Sequence, residues 1–74
     1  MTRITRITYH GFNETIDSRI REFCKECGLK EIESGFMVQE KIREIIFLGY
    51  FSDVHDEMEL EDICSMYDIK ILTS

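Results

Sequence analysis

The feature that most constrains this chain is a faint internal duplication. "ITYHGFNETIDSRIREFCKECGLKEI" and "IIFLGYFSDVHDEMELEDICSMYDIKI" follow one plan: a β-rich stretch, a glycine, an aromatic residue, a polar cap, an amphipathic helix, then another β-rich stretch. Gly11 answers to Gly49, Cys24 to Cys64, and Leu29 or Ile32 to Ile69. Each half reads as strand–helix–strand. Two such halves in series predict a ferredoxin-like βαββαβ sandwich of the α+β class, one four-stranded antiparallel sheet with two helices on one face. Right-handed crossovers put the first and third strands at the centre of that sheet. Proline is absent and no Gly/Ser-rich linker interrupts the chain, so residues 1–74 are expected to form a single small domain.

Local signals support the plan. Asn13 is a good N-cap, with Glu14 next to it where the helix dipole favours an anion. Ile16, Ile20, Phe23, Cys24 and Cys27 follow at helical spacing, and Gly28 stands where a left-handed C-terminal cap is wanted. The second helix is expected from Glu57 to about Tyr67, with Leu60, Ile63, Cys64 and Tyr67 as its buried stripe. Asp56 and Glu59 have capping-box spacing, although Asp53 or Ser52 also suits an earlier start.

Thr5, Ile7 and Tyr9 alternate with their neighbours as a half-buried strand does, and Ile32, Ser34, Phe36 and Val38 repeat the pattern. "IREIIFLGYF" is β-branched and aromatic enough for a central strand, and "DIKILTS" supplies the last one. Val38, Ile42, Ile45, Ile46 and Gly49 also fit a helical period. The duplication and the strand-forming residues of 45–51 favour a hairpin over that helix, even though the turn near Glu40 and Lys41 has no glycine.

Charge narrows the choice of partner. The net charge is −6, and residues 1–52 contribute none of it, with eight acids against eight bases. Residues 53–74 hold seven acids against Lys70 alone. Nucleic acid and anionic membrane surfaces are disfavoured as direct partners, since both demand excess Lys and Arg. A protein with a basic surface is the complementary partner. The acids concentrate in "SDVHDEMELED", where Asp53, Asp56, Glu57, Glu59, Glu61 and Asp62 are the candidate partner-binding residues. A helix start favours some acid there, but this run exceeds what a cap requires.

The same stretch lacks the ligand register of a calcium loop. His55 beside Asp53 or Asp56 is a thin basis for a metal site. "CKEC", from Cys24 to Cys27, ends a helix, where the dipole opposes thiolate formation. Cys24 and Cys64 occupy matching positions and are read as core filler, and His10 and His55 stand isolated. No phosphate loop or nucleophile elbow occurs. Neither catalytic residues, a metal nor a cofactor is therefore expected. Three cysteines and no apolar signal segment point to free thiols in the cytoplasm.

One face of the sheet is expected to lie bare. If Thr5, Ile7, Tyr9, Ile45, Phe47, Gly49 and Phe51 face the helices, then Ile4, Met37, Ile46, Leu48, Tyr50 and Leu72 emerge on the opposite side as an interface, most economically of a homodimer. The duplicated motif "ITYHGFN" and "IIFLGYFS" resembles that of SPOR domains, which implies this topology and a glycan-binding module, although this chain departs from them in its acidity and in having no export segment. The bare-sheet architecture also resembles ACT domains, which implies a regulatory homodimer sensing a small ligand at the subunit interface. The leading expectation is a non-catalytic interaction domain whose acidic helix occupies a basic protein surface, such as an inhibitor of a nucleic-acid-binding machine of the phage anti-defence type.

Overall fold

A computed structural model describes residues 2–74. The elements follow the predicted order: β1 (Ile4–His10), α1 (Glu14–Glu26), β2 (Lys30–Met37), β3 (Ile42–Leu48), α2 (Val54–Ile63), a 3-10 turn (Ser65–Tyr67) and β4 (Lys70–Thr73). The four strands form one sheet in the order β2-β3-β1-β4, with every pairing antiparallel. β1 and β3 lie at the centre, as the crossover rule requires. The chain is thus a ferredoxin-like α+β fold.

The N-cap of α1 is Asn13, whose side chain accepts from the Thr15 and Ile16 amides. The helix ends in a Schellman motif around Gly28, at φ +85°. The Leu29 amide donates to the Cys24 carbonyl at 2.9 Å and the Gly28 amide to the Lys25 carbonyl at 3.1 Å. Leu29 and Cys24 are both buried, which adds the hydrophobic contact that usually accompanies this cap. Gly49, the duplicate partner of Gly11, follows the end of β3 at φ +112° and lies against Leu29.

Inward parity is as expected for the central strands. Ile7, Tyr9, Ile45 and Phe47 join Ile16, Ile20, Cys24, Leu29, Leu60 and Cys64 in one core, with Thr5 buried beside them. The Thr5 hydroxyl donates to the Gly49 carbonyl at 2.7 Å, which satisfies that buried polar group.

The hairpin is confirmed and the helical alternative for 38–49 is not. Met37 pairs with Ile42 across the turn at residues 38–41. A loop of this length is built around ordinary turn geometry and needs no Asn-Gly. Lys41 takes the left-handed conformation at φ +58°, and its carbonyl accepts from the Gly11 amide at 2.6 Å.

Strand two differs from the expected alternation. A β-bulge between Glu31 and Glu33 shifts the register, so Ile32 joins Ile4, Ile46 and Leu72 on the open face while Ser34 and Phe36 pair with the inward Ile45 and Arg43. Val38 lies in the turn and not in the strand. Helix two also starts earlier than Glu57. Asp53, not Asp56, is its N-cap, and the helix proper stops at Ile63, leaving Tyr67 in the 3-10 turn. Leu60 and Cys64 are fully buried, but Ile63 is exposed. Of the predicted four-residue stripe, Leu60 and Cys64 are core residues, Tyr67 packs against the core from the 3-10 turn, and Ile63 does not join.

Candidate functional site

The acidic run begins with a cap. The Asp53 carboxylate accepts from the His55 amide at 2.9 Å and lies 3.1 Å from His55 Nδ1. The amide is the main cause of the downward shift of the Asp53 carboxyl pKa, with the imidazole contact adding to it. The remaining carboxylates wind around α2. Asp53, Glu59, Glu61 and Asp62 are exposed, whereas Asp56 and Glu57 are half-buried. Asp56 is turned toward the Cys27 thiol at the end of α1. The six acids expected as one surface thus separate into four that face solvent and two that line the helix flank. Among the described residues, no group of three or more His, Cys, Asp or Glu is arranged to hold a metal ion.

All three cysteines are free. Cys24 and Cys64 are fully buried, and Cys27 is half-buried. Burial pushes the Cys24 thiol up to about 12, with the neighbouring sulfurs adding to it. Cys27 is also raised, first by burial and then by the charge and hydrogen bond of Asp56. Cys64 is raised by burial. A nucleophilic or redox thiol needs the opposite shift.

The open face of the sheet is mixed. Cross-strand pairing sets out its rows: Ile4 beside Leu48, Arg6 between Leu72 and Ile46, then Thr8 between Lys70 and Glu44, and Met37 beside Ile42. The Arg6–Glu44 ion pair, at 3.1 Å, crosses the middle. Ile4, Ile32, Ile46 and Leu72 line a shallow crevice of about 340 Å³ at one end, together with Arg6 and Glu33, and Leu48 pairs with Ile4 beside it. Met37 sits at the other end, beyond the ion pair, and does not join it. Tyr50 also leaves the expected patch. The left-handed turn at Gly49 ends β3, and the Tyr50 ring lies under the Arg3 guanidinium at 4.8 Å.

One arrangement escapes the sequence reading altogether: a buried polar network on the helix side. The Arg43 guanidinium holds the Asp17 carboxylate from two nitrogens, with Nη2–Oδ2 at 2.6 Å and Nε–Oδ2 at 3.0 Å. Its Nη1 donates to the Gly35 carbonyl at 3.2 Å, tying in the edge strand. The Tyr9 hydroxyl donates to Asp17 Oδ1 and accepts from the Asn13 amide at 3.3 Å. Phe12 covers the guanidinium at 5.1 Å and meets Phe36 edge-on. Burial and the Asp17 carboxylate raise the Tyr9 pKa to about 12. No buried side-chain polar atom among the described residues lacks a partner, so this network is closed and braces four elements. The available signal was parity, since Arg43 precedes the inward Ile45 and Phe47 by even steps.

Comparison with known proteins places the architecture and little else. No family model matches, and no curated protein matches. The chain superposes on a crystal structure of a formyltetrahydrofolate deformylase from Pseudomonas putida KT2440, with a TM-score of 0.72 at 14% identity. That likeness is one of fold. The match covers 100% of this chain but only 28% of that chain. It lends no support to an inhibitor of the anti-defence type or to a glycan-binding module. No helix among the described residues is long and apolar enough to cross a membrane.

Proposed function

We propose that the chain is a regulatory module resembling ACT domains, which pairs as a homodimer through the open sheet face and takes a small ligand at the subunit interface. The observation that carries this reading is the cluster of Ile4, Ile32, Ile46, Leu48 and Leu72 on a sheet whose opposite side is covered by both helices. An apolar group on an otherwise uncovered face is characteristic of an association surface, and a domain of this size gains from one. The full-length match to about a quarter of a deformylase chain supports the same reading, because there the fold is one part of a larger enzyme.

Light scattering across a concentration series tests it. The expected result is a dimer that Ile46→Glu with Leu72→Glu converts to a monomer of unchanged circular dichroism. A thermal-shift screen of metabolites on the same protein is expected to give a hit that the monomeric variant loses. A monomer at all concentrations, with no metabolite response, would overturn the proposal.

A second reading keeps the acid-rich helix as a docking surface for a basic protein. It is supported by the exposure of Asp53, Glu59, Glu61 and Asp62, interleaved with the exposed Val54 and Met58. Asp56 and Glu57 contribute less in this reading, being half-buried. Affinity capture from the native host should then lose its partner on Glu59→Lys with Asp62→Lys, and unchanged capture would sink it.

A further inference from the structure

A crevice of about 380 Å³ opens between helix α1 and the edge strand β2. Its walls are the aliphatic stems of Arg21, Lys25 and Lys30, closing over Leu29 and Phe47, which are themselves buried beneath them. Its rim carries Arg21, Lys25 and Lys30 against the single acid Glu31. Glu31 is held by Arg21 through two contacts, Nε–Oε1 at 2.7 Å and Nη2–Oε2 at 3.2 Å. Among the described residues, neither Lys25 nor Lys30 makes a salt bridge. Three cations against one acid leave a local balance of +2 in a chain whose net charge is −6.

From this we infer a binding site for a small organic anion with an apolar body. The volume falls in the range of small-ligand pockets, which pair an apolar lining with a few polar groups that set orientation. The edge of Leu29 and the aliphatic stems of Arg21, Lys25 and Lys30 would receive the apolar part. Lys25 and Lys30, free to turn inward on flexible stems, would meet the anionic group. Arg21 is committed to Glu31 and Asp17 and shapes the wall. The sign of the rim selects against cations, and the aliphatic walls select against small, fully hydrated anions such as phosphate. The site lies within one chain, so it does not rest on the homodimer reading and survives its failure.

The test is a nitrogen-15 NMR titration of the full chain at neutral pH with octanoate, and separately with octanamide, its uncharged counterpart. Octanoate is expected to shift the amides of Arg21, Lys25, Leu29, Lys30 and Phe47 in a saturable manner, and octanamide to bind at least several-fold more weakly. Lys25→Gln with Lys30→Gln should weaken octanoate by a similar factor and leave octanamide unchanged, with the rest of the spectrum preserved. Equal binding of the two probes, shifts centred elsewhere, or no saturable shift would each overturn the inference.

Discussion

The Arg43 guanidinium and the Asp17 carboxylate, 26 residues apart in sequence, meet at 2.6 Å inside the fold. Their side chains are 11% and 3% exposed, which makes the pair a buried one with a matching desolvation cost. Removing one partner leaves an uncompensated charge, whereas replacing both removes the cost with the attraction. Asp17→Ala or Arg43→Ala is expected to lower unfolding stability by about 3–5 kcal/mol. The double variant Asp17→Leu with Arg43→Met should lose less than the two single losses combined. Urea denaturation of the four proteins gives the cycle directly.

Tyr9 and Cys24 set the alkaline limit. Their pKa values rise from 10.0 and 9.0 in the unfolded chain to about 12 in the fold. In each case the unfolded state releases its proton first, so the stabilisation is complete below the unfolded value and is lost as pH rises toward the folded one. Stability should therefore decline from about pH 9 and fall faster above about pH 10. Cys24→Ala is expected to reduce the first part of the decline, to which Cys27 and Cys64 also contribute, and Tyr9→Phe the second, as read by thermal melting against pH.

Asp56 is expected to protect the Cys27 thiol. Its charge and hydrogen bond add to burial in holding that thiol protonated. At pH 8, iodoacetamide should label native Cys27 slowly, and Asp56→Asn should speed the reaction several-fold by mass-mapped labelling. Cys24 and Cys64 should react only in denaturant, because both are fully buried.

Gly28 and Gly49 both hold left-handed backbone conformations. A Cβ at Gly49 would meet Leu29 Cγ at 3.6 Å, an ordinary contact, so the penalty there is conformational and not a clash. Gly28→Ala and Gly49→Ala should each cost about 1–3 kcal/mol in urea denaturation. Gly35→Ala, which has a conventional φ and open space around it, should change stability by no more than a few tenths of a kcal/mol.

Much of the fold is legible along the chain because its signals are local. Asn13 and Gly28 mark the ends of the first helix through their own backbone and side-chain chemistry. Alternation places Thr5, Ile7 and Tyr9 inward, and the repeat of that plan after Gly49 yields the order of elements. The bulge at residues 31–33 is different, since it exists only in the pairing of β2 with β3. It turns Ile32 to the open face, where strict alternation with Ser34 and Phe36 does not put it. The candidate site was legible in the same uneven way. Ile4, Ile46, Leu48 and Leu72 follow from parity, but Tyr50 leaves the sheet at a left-handed turn and Met37 is cut off by an ion pair.

By itself, the sequence determined the βαββαβ order, the caps of the first helix, the inward face of the central strands and the concentration of acid after residue 52. Only the tertiary structure decided that Arg43 would find Asp17 and Tyr9, that Asp56 would face Cys27, and that two unpaired lysines would flank Phe47. The reason is physical. Periodicity and capping act over a few residues, where the backbone alone sets which way a side chain points. Contacts between elements depend on register, crossing angle and bulges, and these emerge only when the whole chain packs.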